Sequence, residues 1–201
     1  TGLGAGTYCA HITDDNNCPL DTCFTLTEPP VLGTTDSLST YNGGNNISCF
    51  SLYDGYAGVT VTGGVPSYTV VWSTGDTGLY INSIPAGTFS YTVTDSSGCM
   101  FTDSVTLTEP QPLNVAQDSL TSILCNGDTT GCIYLTVTGG TGPFTYYWPN
   151  EDSTEDLCNL GAGLYEVTIT DANGCVSVDT FSLAEPSALA NSPTLSLFTG
   201  T

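Results

Sequence analysis

Hydrophobic and polar residues alternate along much of the chain. Ile133, Leu135 and Val137 are separated by single residues, and so are Phe144, Tyr146 and Trp148, and then Tyr165, Val167 and Ile169. A period of two turns one side of a segment toward a core and the other toward solvent, so each run predicts a half-buried strand. Gly139-Gly140 separates the first two runs, and Asp171-Ala172-Asn173-Gly174 leads into Val176 and Val178. Asn-Gly and Gly-Gly pairs supply the positive φ of tight turns, so these breaks predict hairpins. No stretch sustains a helical period. About seven short strands per unit predict an all-β, immunoglobulin-like sandwich.

The same pattern recurs. Phe24-Thr-Leu-Thr-Glu-Pro29, Val105-Thr-Leu-Thr-Glu-Pro110 and Phe181-Ser-Leu-Ala-Glu-Pro186 end three segments, with the prolines 81 and 76 residues apart. Val61-Thr-Gly-Gly64 matches Val137-Thr-Gly-Gly140, and Thr7–Asp14, Thr88–Asp95 and Leu164–Asp171 are equivalent strands. Self-similarity at a fixed period marks a repeat architecture. The reading is the C-terminal part of a repeat over 1–29, complete sandwiches over 30–110 and 111–186, and the first strand of a following repeat over 187–201. A chain that starts and stops within repeats predicts a longer parent. Glu-Pro junctions are stiff because proline fixes φ and removes a donor. The copies are therefore expected to stack end to end, each touching only its neighbours.

Composition narrows the possibilities. Thr, Val and Tyr, abundant here, favour strands. The chain has 20 Asp+Glu, no Lys or Arg and one His, a formal charge of −20. Without cations it has nothing to neutralise phosphates, which argues against nucleic acid as a partner, and an anionic bilayer repels it. No apolar run reaches the roughly 18 residues of a membrane helix, so no direct insertion is expected. The uniform charge keeps copies soluble and apart.

Nine cysteines predict an oxidising, extracellular setting if they pair. Cys49 to Cys99 and Cys125 to Cys175 are both 50 residues, with Trp72 and Trp148 at the same offset in each. Equal spacing in two copies predicts the bonds Cys49–Cys99 and Cys125–Cys175, each with a tryptophan packed beside it. Cys18 is equivalent to Cys99 and Cys175, so its partner is expected upstream of Thr1. If Ile12 faces Leu20 in the first hairpin, Cys9 faces Cys23, close enough to bond at a non-hydrogen-bonded site. Cys132 and Cys158 fall on strands that neighbour each other in a sandwich, and they are paired with each other. Zinc is disfavoured, since no CxxC occurs and one histidine serves the whole chain.

Cys125-Asn-Gly127, Val137-Thr-Gly-Gly140, Gly142-Pro-Phe-Thr-Tyr146, Trp148, Leu160-Gly-Ala-Gly-Leu-Tyr165, Thr170-Asp-Ala-Asn-Gly-Cys175 and Glu185-Pro186 follow one another in an order that resembles the SprB-type repeat of cell-surface gliding adhesins in Bacteroidota. The second copy departs from it at Ser48-Cys49-Phe50 and Ser96-Ser97-Gly98. The resemblance implies type IX secretion, display on the cell surface and a stalk role in attachment and gliding. It also implies O-glycosylation at Asp-Ser/Thr-X triplets, which here places candidates at Ser37, Ser104, Ser119, Thr129 and Ser153. Asn46-Ile47-Ser48 is a formal N-glycan sequon.

Other chemistry finds less support, and no enzyme is expected. His11 stands alone on a strand, where a catalytic triad needs an oriented base in each unit. Glu151/Asp152 and Glu155/Asp156 read as an exposed acidic loop rather than a glycosidase pair. Asp14, Asp95 and Asp171 offer oxygens at turns and are weak calcium candidates, although none lies in an EF-hand pattern. Tyr41, Tyr53 and Tyr56 are surface aromatics that could meet carbohydrate. The leading expectation is stalk repeats of a secreted adhesin, with neighbouring repeats and surface polysaccharide or another substratum as partners. The alternatives are a carbohydrate-binding array and a subunit of a self-associating fibre or sheath.

Overall fold

The computed structural model describes residues 2–190; the strand expected over 187–201 lies for the most part outside them. Strands β1 (Gly6–Thr13) and β2 (Pro19–Leu26) form a hairpin. They are followed by β3 (Gly33–Leu38), β4 (Gly55–Thr62), β5 (Thr69–Trp72), β6 (Tyr80–Ile84), β7 (Gly87–Thr94) and β8 (Met100–Leu107). The next copy contains β9 (Asn114–Thr121), β10 (Gly131–Thr138), β11 (Thr145–Tyr147), β12 (Leu157–Leu160), β13 (Gly163–Thr170) and β14 (Val176–Leu183). The one helical element among the described residues is a 3-10 turn at Asn42–Gly44.

The sheets have the orders β3-β4-β6, β5-β7-β8, β12-β10-β9 and β11-β13-β14. Lettering the strands of a copy A, B, C, E, F and G in chain order, these are an A-B-E sheet and a C-F-G sheet, the two layers of an immunoglobulin sandwich without strand D. The expected seventh strand is absent from both copies, for a local reason. The Trp72 N–H donates to Asp76 O at 2.9 Å, and its indole Nε1–H to Gly78 O at 2.9 Å. Trp148 does the same toward Asp152 O and Thr154 O, at 3.1 and 2.9 Å. The connection from C to E is thus turned back onto the tryptophan within a few residues, and no chain is left to form another strand.

By contact the chain divides into two compact units. Among the described residues, one comprises those up to Leu38 with Tyr56–Asn82 and Gly87–Thr106; the other comprises Ser39–Gly55, Ser83–Ala86 and those from Leu107 onward. In the first, Val59, Val70, Trp72, Tyr91, Val93 and Val105 are buried. Trp72 and Tyr91 pack with ring centroids 4.9 Å apart. Tyr91 also ties the two sheets together, its hydroxyl lying 2.7 Å from Thr34 Oγ1 and donating to Asp36 Oδ1 at 2.8 Å. Burial pushes its phenol up to about 12. In the second unit Ile133, Leu135, Leu157 and Leu160 of one sheet meet Val167, Ile169, Phe181 and Leu183 of the other around Trp148, which is fully buried. Both tryptophans therefore belong to sandwich cores and do not pack beside a disulfide.

The Gly-Gly pairs have a steric cause. A Cβ on Gly63 or Gly139, both at positive φ, falls 1.9 or 2.0 Å from the carbonyl oxygen of Val31 or Pro112. The following N–H, of Gly64 or Gly140, donates to Pro30 O or Gln111 O at 2.7 and 2.9 Å. The motif thus fastens the end of strand B to the segment entering strand A, where any side chain would force the backbones apart.

Strands β1 and β2 pair with Ile12 opposite Leu20 and Cys9 opposite Cys23. The hairpin leaves Ile12, Leu20 and Phe24 more than half exposed, whereas the matching face of β13 and β14 buries Val167, Ile169 and Phe181.

Candidate functional site at the cysteine loops

Three hairpin turns are built alike. Asp14, Asp95 and Asp171 each accept, through Oδ1, the N–H of the residue two positions on at 2.8–2.9 Å. The same oxygen accepts the N–H of Cys18, Cys99 or Cys175 at 2.9 Å. In the complete copies Oδ2 reaches across to strand B's exit, accepting from Val65 N–H at 2.9 Å and from Thr141 N–H at 2.8 Å. Each aspartate therefore holds a cysteine at the tip of the F–G turn. In all three aspartates, the weak calcium candidates, Oδ1 accepts two backbone donors, and among the described residues no three His, Cys, Asp or Glu side chains gather as a metal site.

These hydrogen bonds favour the charged form at Asp14 and Asp95. The N–H groups of Cys18 and Asn16 hold Asp14 below the ordinary 3.8, and that of Val65, followed by those of Cys99, Ser97 and Gly98, does so for Asp95. A carboxylate with a depressed folded-state value stabilises fully above its unfolded value, and that stability is lost as pH falls through the folded value. Asp95→Asn is thus expected to be less stable than the parent at neutral pH, with the gap constant down to about pH 5 and closing below about 3.8. Urea melts across pH check this; a gap independent of pH would contradict it.

The A–B loops form the other half of the arrangement. In residues 122–130, Gly127 N–H and Asn126 Nδ2 donate to the Glu185 carboxylate at 2.6 and 2.8 Å. In residues 39–54, Ser51 N–H donates to Glu109 at 2.6 Å. Asp128 N–H and Leu52 N–H donate to the carbonyls of Cys125 and Cys49, each at 3.2 Å. The glutamate of each Glu-Pro motif therefore caps a cysteine-bearing loop, a role hidden when the motif is read only as a stiff linker.

The disulfides differ from the pairing read off the spacing. Cys9 is bonded to Cys23 and Cys132 to Cys158, across the registered pairs of β1/β2 and β10/β12. Cys49, however, is bonded to Cys175, with Cα atoms 5.7 Å apart, and not to Cys99. Cys125 is not bonded to Cys175; Cys18, Cys99 and Cys125 are exposed thiols. The reason is visible in the copy 111–186. The Cys125 loop lies at the end of the sandwich where Gly131 meets Leu160 and Leu183, and the Cys175 turn lies at the end where Asp171 meets Thr141. Strand β10, of 8 residues, runs from one end to the other. At about 3.3 Å per residue it separates them by roughly 25 Å, far beyond the approximately 7 Å limit for bonded Cα atoms.

The bond that does form joins the A–B loop of one copy to the F–G turn of the next. Around it, Asn42 N–H donates to Asn173 Oδ1 at 3.1 Å and Asn42 Nδ2 to Ala172 O at 3.0 Å. Asn173 Nδ2 donates to both Asn42 O and Ser48 O at 3.2 Å. Gly43, at φ 81°, lies so close to Thr141 that a Cβ would fall 2.9 Å from its Cγ2. Phe50, Leu52, Pro112, Leu113 and Val176 line a pocket together with the two cysteines. Neither asparagine was singled out from the sequence. Asn42 sits in a short insertion that copy 111–186 lacks, and the sequence offers Asn173 as a turn former and as an oxygen donor beside the weak calcium candidate Asp171, not as a junction residue.

The remaining candidates occupy ordinary surface positions. Ser37, Ser104, Ser119, Thr129 and Ser153 are all exposed. Asn46 is not free to carry a glycan: its Nδ2 donates to Ser39 O at 2.8 Å and its Oδ1 accepts from Thr108 N–H at 3.0 Å. His11 is exposed and paired with Asp21. The Tyr41 hydroxyl donates to Asp54 O, Tyr53 is exposed, and Tyr56 stacks on Tyr80 with centroids 6.0 Å apart. Asp152 is held below the ordinary value by the Thr154 hydroxyl and N–H, and Asp156 accepts from Leu135 N–H.

No curated protein matches the chain. Among solved structures, it is similar to a C-terminal 282-residue fragment of intimin in complex with the intimin-binding domain of its translocated receptor. That match has 13% identity and a TM-score of 0.32, covering 88% of this chain and 57% of the fragment. It is also similar to extracellular domains 3–5 of Drosophila OTK at 13% identity and a TM-score of 0.36, covering 91% of this chain and 72% of that one. The immunoglobulin-like assignment rests on the strand order itself. The SprB repeat family model matches residues 118–159, from the middle of β9 through β12, so the chain carries a SprB-type repeat.

Proposed function

We propose that the chain is a stalk region of an extracellular adhesin, whose sandwich repeats space a binding part away from the cell and support attachment, with gliding as the associated movement. The observation that carries this reading is the Cys49–Cys175 bond, which ties one repeat to the next and persists in an oxidising compartment. The chemistry of the surface agrees with it. A charge of −20 without cations keeps parallel strands apart, and five exposed Asp-Ser/Thr sites are open to sugars. On this reading the chain has no catalytic role, and its partners are adjoining repeats and the substratum.

Antibodies raised against the 201-residue chain test the proposal by immunogold labelling of intact producing cells. Gold particles in rows extending from the surface are expected. Label found only after the cells are opened would overturn it.

One observation favours a second reading. Tyr56 and Tyr80 form a stacked pair, 37% and 58% exposed, that could seat a sugar ring. Binding of the chain to a glycan array, abolished by Tyr80→Ala, would support the carbohydrate-binding alternative over a passive stalk.

A further inference from the structure

The Cys125 loop reproduces the Cys49 loop, with its partner side uncovered among the described residues. Both carry a cysteine followed two residues later by a positive φ, at Ser51 and Gly127. Both are capped by the glutamate of the Glu-Pro motif, Glu109 or Glu185, at the same 2.6 Å. Beside Cys49 lie Phe50, Pro112 and Leu113, with Gly174, Cys175 and Val176 of the F–G turn seated among them. Beside Cys125 the equivalent positions are Asn126, Ala188 and Leu189, and together with Leu124 and Pro186 they line an open groove of about 440 Å³. Leu124 and Leu189 are among the most exposed large apolar side chains of the chain, whereas Ser48, equivalent to Leu124, is buried under the turn.

The complementary part is present in triplicate. The turns bearing Cys18 and Cys99 have the same aspartate brace and cysteine N–H geometry as the turn bearing Cys175. From these two observations we infer that Cys125 and its groove are the receiving half of a second inter-repeat disulfide, filled by the Asp-x-x-x-Cys turn of a further repeat of this kind. Cys99 and Cys18 are the inserting halves for A–B loops of other repeats. The Asn42–Asn173 bracket is not reproduced, because the loop 122–130 lacks the insertion that carries Asn42. The groove and the sulfur bond hold the second junction instead. In the bond-forming step each thiol loses its proton. The two electrons pass to a low-molecular-weight disulfide such as glutathione disulfide, which leaves as two thiols. The inference stands on the geometry of one junction and does not require adhesion.

The test extends the chain as it exists. A second copy of residues 111–186 is joined directly after Pro186, recreating the natural Glu-Pro-Gln junction, and the protein is equilibrated in a glutathione redox buffer. The expected result is a bond from Cys125 to the added copy's F–G cysteine, with Cys49–Cys175 retained, so that the alkylatable thiols stay at the three of the unextended chain. Cleavage at acidic residues followed by mass spectrometry identifies the pairs. Cys125 remaining alkylatable while Cys49–Cys175 is intact, or bonded within its own copy, would overturn the inference. A second measurement does not depend on the extension folding. Covalent oligomers of the unmodified chain should link Cys125 of one copy to Cys18 or Cys99 of another, and predominant Cys125–Cys125 dimers would count against it.

Discussion

Replacing Cys49 and Cys175 together by serine is expected to lower the stability of the chain by about 5 kcal/mol, the largest effect of any single bond. The two cysteines are 126 residues apart, and closing so long a loop removes much of the freedom of the unfolded chain. The same loop-entropy estimate gives about 3.5 kcal/mol for Cys132–Cys158 and about 3 kcal/mol for Cys9–Cys23, whose separations are 26 and 14. Urea unfolding followed by tryptophan fluorescence reads the difference, since Trp72 and Trp148 both lie inside the larger loop. With a slope near 2 kcal/mol/M the midpoint should fall by about 2.5 M. A fall no larger than that of Cys132→Ser would mean that the long loop adds nothing beyond a local staple.

Trp148→Ala should cost about 3–5 kcal/mol, the range for truncating a large buried aromatic. Trp148 is fully buried between the two sheets of its sandwich, and its indole holds the C–E connection at Thr154 O. Trp148→Phe keeps part of the ring in the core but drops that hydrogen bond. It should therefore lose the transfer energy of the smaller ring plus about 1 kcal/mol. Because Trp72 belongs to the other unit, circular dichroism of the strands rather than tryptophan emission reads the urea melt of these variants. If the Ala and Phe variants were equally stable, the indole would be playing no part in packing.

The architecture was legible because period-two alternation, Gly-Gly and Asn-Gly turns and a long self-repeat all agree. The register of the first hairpin also follows from one apolar pair: Ile12 against Leu20 sets Cys9 against Cys23. The missing D strand was not legible, because nothing in 73–79 or 148–156 announces that the tryptophan folds the connection back on itself. The junction failed to show for a deeper reason. In a repeat protein every pair of equivalent positions has equal spacing, so the distance from Cys49 to Cys99 and from Cys125 to Cys175 is the same whether a bond runs within a copy or between copies. Topology discriminates where spacing does not, since the A–B and F–G connections of the 111–186 sandwich lie at opposite ends. Asn42 carried no motif and Glu109 only the repeated Glu-Pro; the first shows its role where loop meets turn, the second where it caps the A–B loop.

The long disulfide also decides where tension goes. A pull transmitted along the backbone enters the sulfur–sulfur bond at Cys49 and leaves it at Cys175, bypassing the chain between them, a sequence separation of 126. That skipped length, about 450 Å if drawn straight at roughly 3.6 Å per residue, stays slack while the bond holds. Ladders wholly inside it, such as β5–β7, then lie off the line of force. The β3–β4 and β13–β14 ladders, each with one strand outside the loop, still carry load, and the skipped length is released only when a reductant reaches the sulfurs.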